Sequence, residues 1–172
     1  MCMEQQAYAA SPVRWALARL RRIFNVATES AGAAGHTKIS SIHVLAAIAA
    51  EGVPVDLGTA IRKGGPFPAA SILSICSIDA DWIATQLRRV AQPASDLVAV
   101  LRLFRRYRER FDYQKSGECL LVSALSMPAV QDLIVGGHGD IDWLLRRGVP
   151  FLEAWIAGSG SLQRRSNRTT GG

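Results

Sequence analysis

One pattern occurs twice in this chain, and it limits the fold more than any other feature. Ala60-Ile61-Arg62-Lys63-Gly64-Gly65-Pro66-Phe67-Pro68-Ala69-Ala70 runs parallel to Leu144-Leu145-Arg146-Arg147-Gly148-Val149-Pro150-Phe151-Leu152-Glu153-Ala154. Upstream of each copy lies a loop, a serine and a short apolar helix: Lys38-Ile39-Ser40-Ser41-Ile42-His43-Val44-Leu45 in the first, Gln114-Lys115-Ser116-Gly117-Glu118-Cys119-Leu120-Leu121 in the second. A long amphipathic helix precedes both. Used twice, this order implies a duplicated helical unit packed about a pseudo-two-fold axis. Each copy alone is too small to bury its apolar faces.

Helical periodicity supports an all-α fold. Ser11-Pro12 suits a helix start, and Trp15, Leu20, Ile23, Phe24, Ala27 and Ala31 recur at helical spacing up to Gly35. Ser40 and Ser41 offer N-caps for a helix through Val44, Leu45 and Ile48. Short helices are predicted near Leu57 to Lys63 and over Pro68 to Ile75. A connector helix follows over 79–91, with Trp82, Ile83 and Leu87 on one face. A long helix from about Ala94 to Phe111 carries the stripe Leu97, Leu101, Phe104 and Phe111. Lys115-Ser116-Gly117 opens the next helix. Pro128 to Val135, Asp140 to Arg146 with a stop at Gly148, and Pro150 to Ala157 complete the order. No segment alternates long enough to read as a strand. The expected organisation is a leader over 1–11 and one double-repeat domain over 12–157. Within the domain, repeat one spans 12–75, the connector 79–91 and repeat two 94–157. A disordered tail is expected over 158–172, a stretch too polar and glycine-rich to order itself.

Charge and cysteine usage narrow the function. The chain has 172 residues and a formal charge of +6. Arg164, Arg165 and Arg168 lie in the tail, leaving 17 of the 20 bases to face all 14 acids. A body so balanced is not the footprint of a dedicated nucleic-acid binder. Cys2, Cys76 and Cys119 are odd in number and widely spaced, with no C-x-x-C pair, so neither a zinc nor a redox motif is indicated. Free thiols fit a reducing, cytoplasmic setting. The longest apolar run, Val44 to Ala50, is too short to span a bilayer, and Met1 to Pro12 lacks the pattern of a secretory signal.

At the first short helix a resemblance becomes specific. Gly35-His36-Thr37-Lys38-Ile39-Ser40-Ser41-Ile42-His43-Val44-Leu45, followed by Ile48, Glu51 and Gly52, resembles the signature of the Clp ATPase N-terminal domain family, which consists of two such helical repeats. Ile42 stands where that signature has an acid. The second copy keeps the acid as Glu118, places Cys119 where the histidine is usual, and has Phe111-Asp112 for the leading Gly-His pair. The resemblance covers about residues 12–157. It implies a non-enzymatic protein-binding module without cofactor or metal, recognising a client, an adaptor or a partner helix. Its setting would be a Clp protease system or the recycling of a type VI secretion sheath. It places the partner surface on Thr37, Lys38, Ile39, Ser40 and Ser41 and on Gln114, Lys115, Ser116 and Glu118. In related domains the matching acids help bind cationic or phosphorylated-arginine groups on clients; Ile42 removes that acid from the first repeat.

Other readings are weighed on the residues. A catalytic or metal role for His43 needs partners that His36 and His138 do not offer at any recognisable spacing; the plainer reading is a buried histidine bonded to backbone or a nearby loop. Cys119 reads as an inert core thiol. Glu118, in a first helical turn, has a favourable contact with the helix dipole as its plainest role. The run Arg102 to Arg110 holds five arginines and one glutamate. It reads first as a solvated helix face and second, with the arginine-rich tail, as a nucleic-acid-associated surface. No P-loop and no G-x-S-x-G elbow is present, so the ATPase of the Clp proteins is absent from this stretch.

Overall fold

In the computed structural model, the structure describes residues 12–51, 68–110, 115–137 and 139–166. The predicted helix near Leu57 to Lys63, the first Arg-Lys-Gly-Gly turn, Gln114 and His138 lie outside these residues, as does the leader.

The fold is all-α, with no strand among the described residues. In chain order the helices are α1 (Pro12–Ala33), α2 (Ser41–Ala49), α3 (Pro68–Ile75), α4 (Ala80–Leu87), α5 (Leu97–Arg110), α6 (Ser116–Leu125) and α7 (Pro128–Gly136). The one-turn α8 (Ile141–Trp143) then runs through a π turn (Leu144–Gly148) into α9 (Val149–Ser166). Their ends follow local chemistry. The α1 helix stops where Gly35 takes a φ of 75°, which lets the His36 N–H reach back to the Ala31 carbonyl at 2.9 Å. Asp79 caps α4 by accepting the Trp82 N–H at 2.8 Å, and Pro128 opens α7.

Two short helices form the centre. Ser41 to Ile48 of α2 and every residue of α6 are buried, and the two helices pack directly on each other. The long amphipathic helix α1 covers α2 with Ala16, Leu20, Ile23, Ala27 and Ala31, while α5 covers α6. A helix apolar all round is one that is surrounded, and α2 and α6 hold that place. On α5 the inward face is Val100 and Phe104; Leu101, expected in the stripe, is 38% exposed. Both residues sit at helical spacing from neighbouring apolar positions, and packing against α6 selects Val100.

The expected stop at Gly148 does not occur. The Val149 N–H bonds the Leu144 carbonyl one residue further back than in an α-helix, and the chain continues. The wider turn leads directly into Pro150, which has no N–H to contribute. Gly148 is buried there, and a Cβ in its place would lie 3.0 Å from Leu144 and 3.2 Å from Ile72, so glycine suits the close packing. The α9 helix then runs to Ser166, past the boundary expected for the tail. Once a helix is nucleated each added residue gains a hydrogen bond, so polar composition alone does not end it.

Candidate functional site

The start of α2 is built around two histidines. Ser40 has an extended backbone, and its N–H donates to Nδ1 of His43, three residues on, at 2.9 Å. A nitrogen that accepts from a backbone N–H carries no proton, so His43 is the Nε2–H tautomer. That N–H donates to Nδ1 of His36 at 2.8 Å, and Nε2–H of His36 donates to the Val90 carbonyl at 2.7 Å. The rings meet edge to face with centroids 5.1 Å apart. His43 is fully buried and His36 nearly so. Burial foremost, then the neighbouring His36, holds the His43 pKa down at about 4, with Asp96 pulling the other way. Asp96 also accepts the Ser41 N–H at 2.8 Å and the Ser41 hydroxyl at 2.5 Å, capping α2 from a distant part of the chain.

The start of α6 is built around an ion cluster. Arg19, on the inner face of α1, is buried. Its Nε and Nη2 donate to Glu51 at 2.9 and 3.0 Å, and its Nη1 and Nη2 donate to Glu118 at 3.1 Å each. Both carboxylates are thus engaged two-pronged, the geometry a guanidinium favours. Burial works against the charge on Arg19, but Glu118 and Glu51 outweigh it and raise its pKa. Gly117 permits the approach: a Cβ there would fall 2.3 Å from Cζ of Arg19. Beside the cluster, Cys119 is pushed up to about 12, by burial first and by Glu118 second. It is a thiol at neutral pH, without the thiolate that nucleophilic chemistry requires. Cys76 is likewise pushed up to about 11 by burial, with Asp140 adding to it.

These geometries divide the residues expected to meet a partner. Thr37 and Lys38 are exposed and Ile39 is half-buried. Ser40, Ser41, Ser116 and Glu118 are buried, the last turned inward onto Arg19 rather than outward to a client. Half-buried Lys115 donates to the Trp155 carbonyl and lies over the Trp155 ring, 4.6 Å from its centroid. Arg102, Arg105 and Arg106 stand exposed on α5, with Glu109 3.5 Å from Arg105. Arg19 and Glu51 have roles the sequence reading did not assign. The available signal was an arginine within the apolar stripe Ala16, Leu20, Ile23 of α1, facing acids at the ends of two apolar helices.

A surface groove of about 450 Å³ adjoins the start of α2. Ile42, in the first turn of α2, lines it. Val90, Gln92, Pro93 and Ala94 of the α4–α5 connection form one wall, and Ala129, Leu133 and Gly136 of α7 another. Arg89 and Asp132 place one base and one acid on its lining. Among the described residues no group of three His, Cys, Asp or Glu side chains could hold a metal ion. No single helix among them is long and apolar enough to cross a membrane. Comparison with protein-family models, with curated proteins and with solved structures yields no match.

Proposed function

We propose that this chain is a non-enzymatic protein-binding module arranged like the two-repeat N-domains of the Clp ATPases, and that the groove beside α2 receives a segment of a client, an adaptor or a partner helix. The groove is the observation that carries this reading. Its lining is mostly apolar, with charge confined to Arg89 and Asp132, as suits a helix laid in a groove. The repeat is supported by the equivalence of α2 and α6, two buried helices in contact, each covered by a long amphipathic helix. With Ile42 on the groove and Glu118 engaged inside, an apolar partner segment fits better than a cationic one.

The test compares affinity capture from native lysate by the wild type and by Ala129→Trp, which fills the groove from half-buried Ala129. Recovery of a Clp ATPase, an adaptor or a sheath protein by the wild type, and its loss in the folded variant, is expected. Equal recovery by both proteins, or no such component with either, would count against the reading.

The exposed Arg102, Arg105 and Arg106 favour a second reading, contact with a nucleic-acid backbone. It is the weaker one, because Glu109 already sits beside Arg105 and Arg108 is half-buried. Binding to duplex or single strands that falls steeply with added salt would support it.

A further inference from the structure

The wall of the groove formed by the α4–α5 connection is tied to the chain before α2 along its length. His36 bonds the Val90 carbonyl, the Thr37 N–H donates to Oε1 of Gln92 at 3.1 Å, and Asp96 caps Ser41. The first of these ties passes through the histidine pair, and the pair has a fixed proton count. One end of the relay is the Ser40 N–H, which can only donate. The other is the Val90 carbonyl, which can only accept. Between them two neutral rings bring two N–H groups, so the ring–ring and ring–carbonyl junctions each join one donor to one acceptor, while Nδ1 of His43 accepts the Ser40 N–H with the Ser40 hydroxyl also 3.0 Å away. A third ring proton, on either histidine, sets two donors against each other at one junction. It also places a charge beside His43, which has no exposed surface.

The outcome depends on which ring can reach water. His43 is held inside α2, whereas His36 lies on the loop before it and is 7% exposed. Turning His36 outward relieves both the donor clash and the buried charge, and it breaks the bond to Val90. The charged and titratable groups around the pair do not prevent this. Asp96 favours a charge on His43 but is already bonded to Ser41. Arg19 of α1 and Glu118 of α6 are bonded to each other, with Glu51 beyond the C-terminal end of α2. Asp81 of α4, Arg89 after it and Asp132 of α7 are exposed, and the thiols Cys76 after α3 and Cys119 of α6 are held protonated.

We propose that the His36–His43 relay is an acid-released latch on the groove: it closes with two ring protons, and a third detaches the Val90 wall. Its consequence for partner binding, weaker docking in acid, rests on the binding reading above; the latch itself does not.

Amide hydrogen exchange of the unliganded full chain tests it, read at Thr37 and Val90 and corrected for the intrinsic effect of pH. Protection at these two amides should fall about tenfold or more between about pH 7 and about pH 5 while α6 stays protected. His36→Gln/His43→Gln, which cannot titrate, should lose that response. Unchanged protection at Thr37 and Val90, a fall in step with α6, or an equal response in the double variant would overturn the latch. If the double variant does not fold, nitrogen-15 spectra of the wild-type rings decide. Both imidazoles should carry their proton on Nε2 at neutral pH, and a proton on either Nδ1 would overturn the relay. Because exchange is read without a partner, failure of the latch leaves groove docking standing. A responsive latch with no groove-dependent capture would leave docking alone refuted.

Discussion

The starts of α2 and α6 each hold a buried polar cluster, and the two clusters are made stable by opposite means. At α2 two uncharged imidazoles pass hydrogen bonds from a backbone N–H to a backbone carbonyl, and the carboxylate of Asp96 caps the helix beside them. At α6 a guanidinium is clasped by two carboxylates that come from the end of α2 and the first turn of α6. Both satisfy the rule that buried polar groups need partners. They differ in what they must conserve. The relay depends on a count of protons and so responds to mild acid. The clasp depends on a balance of charges and so responds to loss of one member. Where α2 begins, the module is tunable; where α6 begins, it is fixed.

The largest effect should come from removing the centre of the clasp. Arg19→Met leaves Glu51 and Glu118 facing each other in the interior, and breaking a buried pair by deleting one member costs about 3–5 kcal/mol. Urea denaturation should show that loss, and adding Glu51→Gln and Glu118→Gln to the variant should recover much of it. A loss below about 1 kcal/mol, in the range of a surface ion pair, would mean the clasp contributes no more than exposed pairs do. Gly117→Ala attacks the same place sterically. Its methyl would lie 2.3 Å from the Arg19 guanidinium, which has to shift, and overpacking of this kind costs about 1–3 kcal/mol.

The relay should fail in a different way. The folded His43 pKa, about 4, lies below its ordinary 6.5. A depressed histidine contributes stability that is fully present above pH 6.5 and is lost as pH falls toward 4, because the unfolded chain takes up the proton first. The loss should reach about 2 kcal/mol by about pH 5. Urea midpoints measured at stepped pH on the wild type and on His36→Gln/His43→Gln would isolate it. Parallel curves for the two proteins would place the acid sensitivity elsewhere.

Much of the fold was legible in the sequence because its punctuation is local. Pro12, Gly35, Asp79 and Pro128 mark helix ends by their own backbone or side-chain chemistry. What the sequence hid depends on distant packing. Val100 rather than Leu101 turns inward on α5 because α6 lies there. Gly148 lies inside a continuing helix where Leu144 and Ile72 leave little room for a side chain. The candidate sites divide along the same line. His43 was readable as a buried helix-start histidine, since its cap serine is three residues away. Its partner Val90, the clasp that draws Glu118 inward, and the groove between the α4–α5 connection and α7 join residues far apart in the chain.

The smallest effect joins electrostatics to proton count at a single residue. Asp96 bonds Ser41 through both carboxylate oxygens and favours a charge on His43. Asn at this position keeps one acceptor for the Ser41 N–H but removes the charge. Asp and Asn cap helices about equally well, so Asp96→Asn should cost less than about 1 kcal/mol at neutral pH. Without the carboxylate, a proton on His43 loses its one favourable neighbour, so the His43 midpoint should move lower still. A histidine protonated later in the folded state while the unfolded state is unchanged widens the gap between the two. The variant should therefore lose more stability than the wild type between about pH 5 and pH 4, despite near equality at pH 7. Chemical-shift titration of the His43 ring would read the midpoint directly. An upward shift in Asp96→Asn would mean that the carboxylate acts on His43 only by holding α2 in place, and that hydrogen bonding alone sets the proton count of the relay.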